Sequence, residues 1–224
     1  APTAADRTLT PTPGLQLLTQ SEEVLVLELR TPNFQLGQAG VEGQSCALVQ
    51  VAGYGETDQR GMPRLPVQGT LVGIPPGARV TLTVLSVDGI ALAVDSEPCS
   101  VSDSPVEDEW AAPVPFSLAP RPEPAVSVGS ALYPAAAAEI VSTGWIRSQR
   151  VAQVRFHPFQ YDPLSGALWH NQRILVRLDF AVQEDQGGVA RPSIEEASFE
   201  QVLQGVIANY ESARRWRAVP VLTA

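Results

Sequence analysis

The stretch GMPRLPVQGTLVGIPPGARVTLTVLSVDGIALAV, residues 61–94, decides how this chain folds. Proline fixes φ and removes an amide donor, so Pro63, Pro66, Pro75 and Pro76 mark strand edges and turns. From Arg79 onward, Val80, Leu82 and Val84 alternate with Thr81, Thr83 and Leu85, the period-two pattern of a strand with one apolar face. Asp88-Gly89 suits the positive-φ positions of a type I′ turn, which predicts a hairpin with residues 90–94 returning as the partner strand. None of these residue types suits a catalyst, and the block reads as scaffold.

Working outward, residues 24–29 (VLVLEL) and 46–52 (CALVQVA) read as strands, as do 138–146 and 150–157. Residues 161–166 (YDPLSG) carry Pro early and Gly late, as a turn requires. In residues 172–182, Ile174, Val176, Leu178 and Phe180 face one way, so the segment is expected to pair back in a long antiparallel hairpin. The period changes near the end. Ser193 with Glu196 makes a capping-box pair, and Phe199, Val202, Leu203, Val206 and Ile207 follow helical spacing. A helix is expected over about 194–210. The fold class is therefore mainly β: an antiparallel β-sandwich of two sheets with one C-terminal helix. A polar leader over 1–14 precedes a single domain over 15–212, and 213–224 forms a basic tail. Residues 96–124 hold seven prolines beside Glu107-Asp108-Glu109, a density that forbids regular helix and predicts an extended loop or tether.

The 224 residues carry a net charge of −9 with 15 Lys+Arg, every one of them Arg. Nucleic-acid binding needs a basic surface, so this balance excludes it as a general function. No apolar run approaches the roughly 20 residues that span a bilayer. Cys46 and Cys99 are either two buried thiols or a disulfide, and the Ala1-Pro2-Thr3 start reads as a trimmed signal-peptide product, which places the chain outside the cell or at its surface. Two cysteines and two histidines fit no metal-site spacing. Neither cysteine sits at a helix start that would favour its thiolate, and no nucleophile elbow, P-loop or dinucleotide fingerprint is present. No catalytic residue, metal or cofactor is expected. Consecutive carboxylates at 107–109 read as solvated rather than as a calcium site. Trp145, Trp169, Tyr133 and Tyr161 could line a carbohydrate platform but suit a sandwich core better.

Met62-Pro63-Arg64-Leu65-Pro66-Val67 followed by Ile74-Pro75-Pro76-Gly77-Ala78 resembles the opening of gingipain-type cysteine peptidase propeptides. Tyr133-Pro134, residues 145–152 (WIRSQRVA), residues 156–163 (FHPFQYDP) and the arginine-containing strand at 168–180 resemble later segments of that family, in the same order. Residues 199–216, with Asn209-Tyr210 and Arg215-Trp216, resemble the stretch that joins such a propeptide to its catalytic domain. The chain departs from the pattern at Tyr161-Asp162-Pro163, where the family has Tyr-Asn-Pro. The resemblance implies a non-catalytic β-sandwich prodomain that assists the folding of a caspase-like cysteine peptidase in cis, inhibits it, and is removed by proteolysis. Arginine-specific members present an arginine to the peptidase's specificity pocket; Arg121 is the first candidate for that role and Arg60 the second. Arg214, Arg215 and Arg217 sit where a processing site would lie, though basic residues there also complement a helix dipole. The rival reading is an adhesion or carbohydrate-binding module of a larger secreted protein.

Overall fold

Period-two apolar residues build two antiparallel sheets whose inner faces meet. The structure is a computed structural model that describes residues 12–41, 44–101, 132–182 and 197–217. The strands are β1 (Leu15–Gln20), β2 (Val24–Arg30), β3 (Phe34–Val41), β4 (Gln44–Val51), β5 (Gly55–Glu56), β6 (Pro66–Gly73), β7 (Ala78–Leu92), β8 (Ala138–Ile146), β9 (Gln149–Phe156), β10 (Phe159–Asp162) and β11 (Ala167–Val182). In the first sheet β11 is central: β7 runs along one edge, while β10 and then β2, with β1 outside it, share the other. The second sheet has the order β5-β6-β9-β8, and β3 and β4 form a separate two-stranded ladder.

Alternation places the core. Leu25, Leu27 and Leu29 from β2 and Ile174, Val176, Leu178 and Phe180 from β11 meet Val72, Ala152, Val154 and Phe156 of the other sheet. Each fully buried aliphatic side chain contributes about 1.5–3 kcal/mol by transfer, so this layer dominates folding. Val80, Leu82 and Val84 pack on its rim as half-buried neighbours.

Two pairings differ from the sequence expectation. Asp88-Gly89 makes no hairpin; β7 continues through it to Leu92, paired with β11 along its whole length. A hairpin would need positive φ there, and Gly89 is not among the residues that have it. Instead Arg173, opposite Asp88, reaches its carboxylate at 3.3 Å and also bonds Glu28 at 2.6 Å, which anchors Asp88 in the strand. A Dx-type turn signal thus yields to a long partner strand. Likewise residues 172–182 do not pair with 150–157: β9 lies between β6 and β8, in the opposite sheet. Only the short β10 closes a hairpin with β11, around a turn in which Asp162 accepts bonds from the Leu164 amide and the Ser165 hydroxyl.

The two halves of the family-like signature touch. Arg150 donates from one guanidinium nitrogen to the carbonyls of Pro75 and Ala78, at 3.1 and 2.7 Å, closing the Pro-Pro-Gly turn whose Gly77 has φ +71°. The Ile74 amide returns a bond to the Arg150 carbonyl.

The helical segment is broken. Helix α1 (Ala197–Val206) ends where Ile207 bridges Leu71, and α2 (Tyr210–Ala213) and a 3-10 turn (Arg214–Trp216) follow. Between the helices the Asn209 side chain accepts from the Gly73 amide at 2.7 Å and donates to its carbonyl at 2.9 Å, imitating a neighbouring strand. Gly73 is required there because a Cβ would come within 2.1 Å of the Ala213 methyl. Leu203, Ile207, Tyr210 and Ala213 then bury against Val151 and Leu71 on the outer face of the second sheet. The Ser193–Glu196 capping box lies outside the described residues.

A second core joins the β3–β4 ladder to the sandwich: Val49 and Val51 meet Leu65, Phe159, Tyr161 and Leu168. His170 stacks on Phe159 with centroids 4.9 Å apart and meets Phe34 edge-on at 4.7 Å. Both its ring nitrogens are buried without a hydrogen-bond partner among the described residues. Burial pushes its pKa below the ordinary 6.5, because a desolvated imidazolium is disfavoured. A folded value below the unfolded one means that the unfolded chain binds the extra proton. The stabilisation is therefore complete above about pH 6.5 and declines as pH falls toward the folded value. Urea midpoints measured between about pH 7 and 5 should fall on the acid side for the wild-type chain, and His170→Phe should flatten that decline. Parallel slopes would place the acid sensitivity elsewhere.

Candidate functional site

Two regions carry features beyond packing. The first is the end of the molecule where the disulfide lies. Cys46 and Cys99 are bonded, with Cα atoms 4.9 Å apart, so neither offers a thiolate. The bond ties β4 to residues 97–101, which also pair by backbone: the Ala47 amide donates to Glu97 and the Cys99 amide to Ala47. Beside them Thr57 organises the loop over 57–65. Its hydroxyl donates to the Pro63 carbonyl at 2.8 Å and accepts from the Leu65 amide at 3.0 Å, while its own amide donates to Leu65. The Arg64 amide bonds the Cys99 carbonyl, and Met62 and Gly61 exchange bonds with Val101. The tip of this braced loop is exposed, with Arg60 upon it.

That frame also fixes both points at which residues 102–131 depart and return. Val101 is held by Gly61 and Met62, and Tyr133 exchanges backbone bonds with Tyr161 at 2.7 Å in each direction. Burial raises the Tyr133 phenol above its ordinary pKa. Arg121 and the 107–109 carboxylates fall within 102–131, outside the described residues.

Next to this frame, a cleft of about 720 Å³ opens between the β3–β4 ladder and β5–β6, lined by Phe34, Val49, Val51, Tyr54 and Glu56. Its one carboxylate lies 3.5 Å from Arg64, and Tyr54, whose pKa burial raises to about 12, donates to the Pro13 carbonyl. No acid–base pair results. Among the described residues no group of three or more His, Cys, Asp or Glu could hold a metal, and no helix is long and apolar enough to cross a membrane. His157 meets Glu139 at 3.3 Å, and both cysteines are held in their disulfide. The four aromatics do not form one platform: Tyr161 is buried, Tyr133 and Trp145 are half-buried, and Trp169 is 38% exposed.

The second region is the C-terminal turn. Arg214 and Arg215 are exposed, but the Arg217 side chain is only 5% exposed. It donates to Glu200 at 2.6 Å and to the Gln149 amide oxygen at 2.9 Å, and lies 5.5 Å over the Tyr210 ring. Burial alone would raise the Glu200 pKa; the bonds from Arg217 and Tyr210 outweigh it and hold the carboxyl below its usual range. Sequence reasoning placed these arginines at a junction but missed Glu200 and Gln149, which lie 17 and 68 residues from Arg217 and carry no local signal.

Residues 127–216 match the family model Propeptide_C25. Over that stretch the chain is similar to a gingipain-type propeptide. The fold is also that of solved structures. A chain of the complex of Porphyromonas gingivalis RgpB pro- and mature domains superposes with a TM-score of 0.65 at 20% identity, over 89% of this chain and 98% of that one. A chain from a structure on the zymogenic latency of gingipain K, from the same organism, gives 0.56 at 20% identity, covering 76% and 94%. No curated protein matches the chain. The family match takes in the second half of the sequence signature and both helices, with Arg214 and Arg215.

Proposed function

We propose that this chain is the latency-conferring prodomain of a gingipain-like cysteine peptidase: it assists the folding of the peptidase domain, covers its cleft, and leaves on proteolysis. The observation that carries the reading is the likeness, over most of both chains, to a chain from a complex of pro- and mature domains, joined to the propeptide family match. A second likeness, to a structure concerned with zymogenic latency, points the same way. The partner is the catalytic domain in cis, and the inhibitory arginine is Arg121, with Arg60 as the alternative. Processing falls among Arg214, Arg215 and Arg217. Secretion fits the Cys46–Cys99 disulfide, since such bonds persist in oxidising compartments.

The test adds the isolated chain to its separately produced catalytic domain. Inhibition at micromolar concentration is expected, with an inhibition constant that tightens as salt falls if charged contacts guide docking. Full peptidase activity in the presence of excess folded chain would overturn the reading.

A further inference from the structure

Peptidases take the residues around a scissile bond as an extended strand. The three arginines at the junction differ in that respect. Arg214 is helical, with φ −56° and ψ −35°, and Arg215 lies within the 3-10 turn. Trp216 packs edge-on against Phe180 at 5.9 Å and joins both the sandwich core and the helix cluster. Cutting after Arg215 would thus strip an indole from two apolar layers. Arg217 ends the turn with φ −75° and ψ 145°, strand-like backbone at the first position beyond that packing.

Its backbone is presented, but its side chain is withheld. One Glu200 oxygen accepts from the Arg217 guanidinium while the other accepts from the Tyr210 hydroxyl, so the carboxylate is gripped from both sides. Gln149, itself 1% exposed at the start of β9, accepts a second guanidinium bond. An arginine in this state cannot enter a specificity pocket.

We propose that the Arg217–Ala218 bond is the processing site of this propeptide, and that Glu200 and Gln149 form a latch that keeps the bond uncut until the latch opens. The inference rests on the prodomain reading. In the cut, water adds to the Arg217 carbonyl carbon, the C–N bond to Ala218 breaks, and the proton passes to the departing nitrogen; an arginine-specific peptidase supplies the catalysis. The latch exists only when α1, β9 and the turn are assembled, so cleavage requires a local opening rather than mere encounter.

Trypsin, which cuts after arginine, tests this on the whole chain, with products followed by intact mass. The wild-type chain should release its tail slowly, as a product ending at Arg217. Glu200→Gln should speed that cut at least tenfold while cutting after Arg60 or Arg79 keeps its rate, which separates latch opening from global unfolding. Arg217→Gln should abolish the product without hastening cuts after Arg214 or Arg215. A wild-type tail lost as fast as from urea-unfolded chain, an unchanged rate in Glu200→Gln, or a dominant cut after Arg215 in that variant would each overturn the proposal. Should Glu200→Gln fail to fold, Gln149→Ala, which removes one bond and leaves the ion pair, must show a smaller acceleration, and no acceleration overturns the latch. Because trypsin reads the outcome, failure here leaves the prodomain reading to its own inhibition test.

Discussion

Replacing Cys46 and Cys99 together by alanine should lower the free energy of unfolding by about 4 kcal/mol, the chain-entropy value for a loop closed across the observed separation of 53 residues. Against a total stability of roughly 5–15 kcal/mol, that is a large share. The geometry says where the loss is felt. The β3–β4 ladder has two strands only, and an isolated pair is marginally stable in water. Its ties to the rest are the second core, the disulfide and the backbone bonds that flank it. Urea unfolding with and without reductant, and on the double variant, provides the measurement. The midpoint should drop alike on reduction and in the variant, with the slope rising slightly because the unfolded chain, freed of its cross-link, exposes more surface. An unchanged midpoint would mean that the second core alone holds the ladder. The same brace fixes Val101 and Arg64, so reduction should also weaken inhibition by loosening the frame from which residues 102–131 depart.

How much of this was legible in the sequence depends on the range of the interaction. Alternation in β2, β9 and β11 revealed strands and their inner faces, because a half-buried strand writes its period into adjacent residues. Strand partners were not legible in the same way. Asp88-Gly89 carries a strong turn signal, yet Arg173, 85 residues away, and a 16-residue partner strand hold it extended. β1 and β3 escaped notice because their exposed faces blur the pattern: Gln16, Gln35 and Gln38 interleave with Leu17 and Leu36 on strands that cover little core. At the C-terminus the helical period was plain, but the break at Ile207–Asn209 arises from Gly73 in β6, which no window on the helix can show. The candidate site follows the same rule. Arginine identity and order in the chain suggested roles, whereas the partners that bind Arg217 came from three separate elements.

Arg121→Ala should weaken inhibition of the peptidase domain by roughly 2–5 kcal/mol, the cost of truncating one member of a buried, hydrogen-bonded charge pair. In an inhibition constant that is about thirty-fold to several thousand-fold. The choice between Arg121 and Arg60 turns on reach. Arg60 rides on a tip tied down by the Thr57–Leu65 bonds on one side and the Gly61–Val101 bond on the other, so its backbone is braced against the frame. Arg121 lies twelve positions from the pinned Tyr133, a length that spans at most about 40 Å of fully extended chain. A side chain on such a span can enter a recessed pocket while the sandwich docks on the rim. Arginine's planar fork can pair with a carboxylate through two parallel bonds, which lysine cannot reproduce, so with an acidic pocket Arg121→Lys should recover only part of the loss. Arg60→Ala should leave the constant within about threefold of wild type. The reverse pattern, with Arg60→Ala crippled and Arg121→Ala unaffected, would move the bait to the braced tip. Equal constants for all three chains would mean that the cleft is covered without an arginine in its pocket, and the affinity would then have to come from the sandwich surface.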